Sequence, residues 1–178
     1  MHTPRLVRAA VTAGTLALAT LASSAAHAQF ANHSLGIEGG FAYIANPSAQ
    51  NVGSGGNVGI DSTLYIENGF DLYFRLLIGV HRQQEPSKNV IGILPAVGFR
   101  YLFSEDLFRP YVGLSLAYLA FFTDDYTSRI AVSPMVGFEY FVSYNMSLGL
   151  QAEYDLIISL NDSPEHAAVV AGKVAWYF

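Results

Sequence analysis

His166-Ala-Ala-Val-Val-Ala-Gly-Lys-Val-Ala-Trp-Tyr-Phe178 is the stretch whose reading decides the fold. Its alternate positions fall into two sets. Ala168, Val170, Gly172, Val174, Trp176 and Phe178 carry no charge, while Val169, Ala171, Lys173, Ala175 and Tyr177 include the only charged residue, Lys173. Successive side chains of a strand point to opposite faces. The stretch therefore reads as a strand with one wholly apolar face and one mixed face, ending on an aromatic ring.

The same period of two recurs upstream. Eight alternating segments stand out, at roughly 33–45, 56–67, 69–82, 90–103, 107–122, 129–142, 145–158 and 166–178. In the third, Phe70, Leu72, Phe74, Leu76, Ile78 and Val80 oppose Asp71, Tyr73, Arg75, Leu77, Gly79 and His81. In the seventh, Met146, Leu148, Leu150, Ala152, Tyr154 and Leu156 oppose Ser147, Gly149, Gln151, Glu153 and Asp155. The apolar sets read as free of charge throughout. The opposite sets read as small and sparse, rich in Gly, Ala and Ser with a few ionisable groups. A soluble antiparallel barrel would wet its outer face with Lys, Glu and Asp. An uncharged face on every strand instead fits contact with lipid, where hydrophobicity is spread in alternation rather than in one long run.

Composition agrees. Hydrophobic residues make up 52% of the chain and charged residues only 13%, about half the usual charged share. The first residues carry Arg5 and Arg8 and no acid, an uncharged Ala/Leu/Val/Thr run follows, and Ala26-His27-Ala28 gives a small-x-small cleavage site. These are the three parts of a secretory signal peptide, so residues 1–28 are expected to be a leader and 29–178 the mature domain. Beyond the leader no apolar run reaches the length of about 20 residues that a membrane helix needs. Removing Arg5 and Arg8 leaves seven of the nine basic residues against 14 acidic ones, a net charge of −7. That balance excludes nucleic acid as a partner, because phosphate binding needs a basic surface. The 178 residues contain no Cys, so an exported domain here cannot rely on disulfides; a sheet closed on itself is another way to hold it.

The connections alternate in length. Glu67-Asn68-Gly69, Ser104-Glu105-Asp106 and Ser143-Tyr144-Asn145 read as tight turns, whereas Asn46 to Gly55, Gln83 to Asn89, Thr123 to Ser128 and Ser159 to Glu165 are longer. In membrane barrels the short turns are periplasmic and the longer loops external, which puts both termini on the periplasmic side. Aromatic residues collect near strand ends and form a candidate girdle at headgroup level. Phe70, Tyr101, Phe103, Phe108, Tyr140 and Trp176, with Phe178, lie toward the turn end. Phe41, Tyr43, Tyr118 and Phe122 lie toward the loop end. Pro95, Pro110 and Pro134 interrupt strands, and bulges or strand ends are expected there.

These features together resemble the small eight-stranded outer-membrane barrels of the OmpA/OmpX type. The resemblance covers the mature chain and rests on strand count, turn–loop alternation, the uncharged face and the terminal pattern Val170-x-Gly172-x-Val174-x-Trp176-x-Phe178. It implies an all-β, eight-stranded, antiparallel, up-and-down transmembrane barrel in the outer membrane of a diderm bacterium. It further implies outer-membrane lipids and lipopolysaccharide as surroundings, and periplasmic chaperones and the barrel-assembly machinery as partners in biogenesis. The terminal pattern resembles the signal that machinery reads, with Gly172 replacing the usual larger residue. No peptidoglycan-binding domain is expected, and the barrel is expected to be a monomer.

The mixed face carries the only chemistry. Glu38, Asp61, Glu139, Glu153 and Asp155 face inward with Arg75, Arg100 and Lys173. A charge inside a narrow barrel must be paired, and eight strands enclose a space just wide enough for side chains to fill. A lumen network of acids around the three cations is therefore expected, either as a plug that specifies the fold or as a narrow low-conductance path for ions or small solutes. Lipid A deacylases of this size use a His-x-Ser arrangement. His33-Ser34-Leu35, His81-Arg82-Gln83 and His166-Ala167-Ala168 all lack Ser two places on. A pair assembled across strands, from His81 or His166 with Ser87, Ser159 or Ser163, would be geometry without a motif. No catalytic residue, metal site or cofactor is proposed from the sequence. The expected role is structural, in envelope stability or surface interaction.

Overall fold

The computed structural model describes residues 32–45, 52–83, 88–122, 127–158 and 165–178. The leader expected at 1–28, much of the four longer links, and Ser87, Ser159 and Ser163 lie outside these residues. Eight strands follow one another in order: β1 (His33–Ala45), β2 (Val52–Glu67), β3 (Phe70–Gln83), β4 (Lys88–Leu102), β5 (Phe108–Phe122), β6 (Thr127–Ser143), β7 (Met146–Ile158) and β8 (Glu165–Tyr177). Each pairs antiparallel with its neighbours, and β1 pairs with β8 to close the barrel. The closing register runs from Ser34↔Tyr177 to Ala45↔His166. Among the described residues no strand edge is left unpaired, which satisfies the backbone groups that lipid cannot.

Alternation sets the facing. Ile37, Phe41, Val58, Ile60, Phe74, Leu76, Ile78, Val97, Leu116, Val136, Leu150 and Val170 are exposed on the outside, while Glu38, Asp61, Arg75, Arg100, Ser133, Glu139 and Lys173 are buried inside. A one-residue slip would exchange the two sets, so an apolar exterior and a polar interior pin the register of every strand. Among the described residues one charge departs from the reading of a charge-free exterior. Arg82 shares the outward set of β3 and is exposed, two residues beyond Val80 at the loop end.

The turn end is built locally. Asn68 and Gly69 have φ of 54° and 81°, the left-handed pair that a two-residue hairpin requires. Tyr144 and Asn145 join β6 to β7, with a hydrogen bond of 3.0 Å from the Ser143 hydroxyl to the Asn145 side-chain oxygen. At the loop end β2 begins earlier than its sequence suggests. Val52 to Gly55, read from the sequence as part of the longer link Asn46 to Gly55, join the sheet through a register shift against β3.

Of the bulges or strand ends expected at proline, no bulge occurs, and only Pro110, two residues into β5, lies near a strand end. Register shifts occur between Val52 and Gly55, between Tyr65 and Glu67, and between Phe141 and Ser143, whereas Pro95, Pro110 and Pro134 sit in register opposite Leu76, Phe138 and Leu114. A strand's N–H groups point alternately to its two neighbours, so each proline costs a bond on one side only. The β4–β5 ladder skips from Ile93 to Ala96, and the β6–β7 ladder from Val132 to Met135.

Candidate functional site

The lumen has two layers. The half nearer the turns holds charges and tyrosines; the half nearer the loops is built mainly of apolar side chains, with Asn57, His81 and Glu165 buried among them. In the charged layer each cation reaches two acids. Arg75 makes a two-pronged contact with Glu153, with Nη2 to Oε2 at 2.8 Å, and a longer one of 3.3 Å to Glu38. Arg100 donates to Asp71 at 2.6 Å and to Glu139 at 2.9 Å. Lys173 donates to Glu139 at 2.6 Å and to Asp61 at 3.1 Å. Planar guanidinium groups suit such forked contacts.

These pairs are braces. Arg75 on β3 meets Glu153 on β7, the opposite wall of an eight-stranded ring. Lys173 on β8 ties β2 to β6. Tyrosines fill the gaps. Tyr111 donates to the Gln151 side-chain oxygen at 2.7 Å, Tyr73 donates to Glu38 at 3.4 Å, and Tyr177 donates to Glu139. The Arg100 guanidinium lies 4.5 Å from the Tyr111 ring centroid, and both arginines lie 5.6 Å from that of Tyr73. Inward glycines make the space. A Cβ on Gly36 would stand 2.3 Å from Asp61 Oδ1, and one on Gly137 would stand 2.6 Å from the Tyr111 ring.

Above this network lie Ile44, Val52, Val90, Leu119, Phe121 and Ile157, all buried, with Leu94 packed against them. The inward face is therefore not uniformly small, as its sequence suggested; in the loop half it is bulky and apolar. His81 is buried in this layer, 5.2 Å edge-on to Phe121, with contacts of 3.0 Å to Asn57 Oδ1 and 3.2 Å to the Gly53 carbonyl. Arg129 and Glu165 pair near the mouth. Between the layers is a cavity of about 30 Å³ bordered by Arg75, His81, Asn57 and Asp155 among apolar groups, room for one or two waters.

All eight charges predicted for the lumen lie inside it, and seven join the paired network. Asp155 stands apart: it is 9% exposed, borders the cavity, and its Oδ1 has no hydrogen-bond partner among the described residues. Asp71, Tyr73, Tyr111, Gln151 and Tyr177 are network members that the sequence reading did not single out. Their signal was available, since each shares the inward parity of a neighbouring charge. The predicted girdle residues Phe41, Tyr43, Phe70, Tyr101, Phe103, Phe108, Tyr118, Phe122, Tyr140 and Trp176 are all exposed on the outer surface. Phe70, Tyr101 and Phe103 form a contiguous row, with ring centroids 5.0 Å and 5.3 Å apart.

The three histidines among the described residues are dispersed. His33 stacks on Phe178 at the turn end, His81 is inside the lumen, and His166 lies on the outer face beside Tyr154. Among the described residues no group of three or more His, Cys, Asp or Glu has the geometry to hold a metal ion.

Comparison with known proteins places the fold. The family model described as outer membrane protein beta-barrel domain matches residues 14–178. No curated protein matches the sequence. Among solved structures, Neisserial surface protein A superposes with a TM-score of 0.64 at 18% identity, covering 83% of this chain and 97% of that one. The attachment invasion locus protein Ail of Yersinia pestis gives 0.55 at 9% identity, covering 84% and 100%. The outer-membrane enzyme PagL gives 0.53 at 12% identity, covering 79% and 97%. At these identities the likeness is one of fold.

Proposed function

We propose, since this chain belongs to the outer membrane protein beta-barrel domain family, that it is an integral barrel of the Gram-negative outer membrane with a closed lumen and a structural, envelope-stabilising or surface-interacting role. The observation that carries the reading is the two-layered interior. Ion pairs cross from β3 to β7 and from β8 to β2 and β6, and an apolar layer including Phe121 and Leu119 lies above them. In this reading the two layers together close the lumen to ions. In this reading both termini are periplasmic, the four longer links face outward, and the monomer works without catalysis.

The exterior supports the same placement. Outward apolar residues meet lipid and lipopolysaccharide acyl chains, and exposed rings at both rims sit at headgroup level. Val170, Gly172, Val174, Trp176 and Phe178 form one outward stripe, the face available to the barrel-assembly machinery after chaperone delivery. Planar-bilayer recording tests the closed lumen. Purified protein is expected to give no steady openings; steady currents altered by Arg75→Ala or Arg100→Ala would refute it.

One observation favours a narrow channel as the second reading. Among the described residues the buried charges Glu38, Asp61, Asp71, Arg75, Arg100, Glu139, Glu153, Asp155, Glu165 and Lys173 comprise seven acids and three bases, and Asp155 faces the cavity. Any current through such a path would be cation-selective.

A further inference from the structure

Three described basic residues stand in the loop half, outside the paired network. Lys88 shares the inward set of β4 and lies opposite buried Gln83. Arg129 is paired with Glu165 near the mouth. Arg82 alone of the three takes an outward position, and it is exposed. The described acids of this half, Asp155 and Glu165, are both buried, so no carboxylate on the described exterior there competes for it.

The surroundings of Arg82 are ordered by the ladder. It pairs directly with Asn89 on β4, and Asn89 is exposed as well. Side chains of such a pair start about 5 Å apart on one face, so a guanidinium and a carboxamide stand together at the rim. Two residues nearer mid-membrane on the same face, Val80 pairs with Ile91 and Ile91 with Phe122. These three side chains, each more than half exposed, make a continuous row across β3, β4 and β5. The polar pair therefore stands on the upper margin of an apolar shelf, with no residue of the outward set between them.

We propose that Arg82 and Asn89 hold a phosphate of one outer-leaflet lipid A molecule, with an acyl chain of that lipid lying on the Val80–Ile91–Phe122 shelf. This rests on the reading that the loop end faces outward. A guanidinium stays charged at any working pH and presents its N–H donors as a planar fork, which suits phosphate oxygens as it suits a carboxylate. The Asn89 amide adds an uncharged donor beside it. A basic side chain just outside the hydrocarbon band is drawn to anionic headgroups. Free phosphate would meet the polar pair only, whereas a lipid meets the pair and the shelf together.

The test uses the folded barrel in micelles, with bisphosphorylated lipid A as the probe and its dephosphorylated form as the control, read by native mass spectrometry. The dephosphorylated form is expected to be held about fivefold more weakly. Arg82→Gln should lose about fivefold for the probe and nothing for the control, and Arg82→Lys should keep most of the difference. Asn89→Ala should lose about threefold for the probe, and Ile91→Asn should weaken both lipids alike. Inorganic phosphate should displace the probe no better than chloride at equal ionic strength. Equal retention of the two lipids, an undiminished preference in Arg82→Gln, unchanged binding of both lipids in Ile91→Asn, or displacement specific to inorganic phosphate overturns the site. The parent reading fails separately. The chain has no Cys, so Ser128→Cys, exposed at the loop end of β6 and away from the site, carries the only thiol. It should react with an impermeant maleimide on intact cells; a protected thiol would overturn the outward orientation even with the lipid preference intact in micelles.

Discussion

Replacing Arg100 with Met separates a dry brace from a wet path. Arg100 is fully buried and holds Asp71 at 2.6 Å and Glu139 at 2.9 Å. Glu139 keeps Lys173 and Tyr177 when Arg100 is lost. Asp71 keeps no ion pair among the described residues. Removing one partner of a buried pair costs about 3–5 kcal/mol, because the other charge stays buried and uncompensated. Loss of the stacking on Tyr111, 4.5 Å away, acts in the same direction. The single variant should therefore shift the unfolding equilibrium by about two to four orders of magnitude. Arg100→Met with Asp71→Leu removes the stranded carboxylate as well. A buried pair replaced by apolar groups of similar size is often neutral, so the double variant should return to within about 1 kcal/mol of the parent. The assay is reversible denaturant unfolding in micelles, run as a double-mutant cycle to isolate the coupling. If Arg100→Met alone costs less than about 1 kcal/mol, or if adding Asp71→Leu recovers nothing, these groups are solvated and the closed lumen is wrong.

Other consequences are simpler to check. Phe121→Ala should cost about 3–5 kcal/mol through the void it leaves in the apolar layer, read in the same unfolding assay. Leu76→Arg, on the outward face midway along β3, should cost about 2–4 kcal/mol, while Tyr43→Arg near the loop rim should cost about 1 kcal/mol or less; equal penalties would argue against a membrane around the barrel. Gly137→Val drives side-chain atoms into the Tyr111 ring and should abolish heat-modifiable folding, whereas outward Gly56→Ala meets nothing nearer than 3.9 Å and should fold normally. Protein lacking residues 1–28 should require detergent to stay in solution, as sedimentation would show.

Much of this architecture follows from parity. Once Lys173 and Trp176 are assigned to opposite faces, every residue of β8 is placed, and the same holds strand by strand. What parity cannot give is distance across the lumen. Arg75 lies beside Asp61 in the ladder, yet its guanidinium reaches Glu153 and Glu38, because ring closure and strand tilt decide which inward groups meet. The apolar layer was hidden for another reason. Leu76-Leu77 on β3 and Leu119-Ala-Phe-Phe122 on β5 are hydrophobic on both faces, so alternation disappears where the interior itself becomes hydrocarbon. Arg82 escaped notice because it falls where the outward stripe leaves the apolar zone and a cation can reach headgroups. The prolines misled because a missing donor disturbs one ladder without shifting the other.

The seam between β1 and β8 has a kinetic consequence. It joins the first strand to the last, from Ser34 with Tyr177 to Ala45 with His166, so its contacts carry the greatest sequence separation in the molecule. Contacts of that kind are slow to form, since a long loop must close before any bond repays the entropy. Until they form, the outer margins of β1 and β8 are open templates for other chains. Maturation of this barrel is therefore gated by its own circumference: the step that completes the ring is also the step that ends its exposure to aggregation.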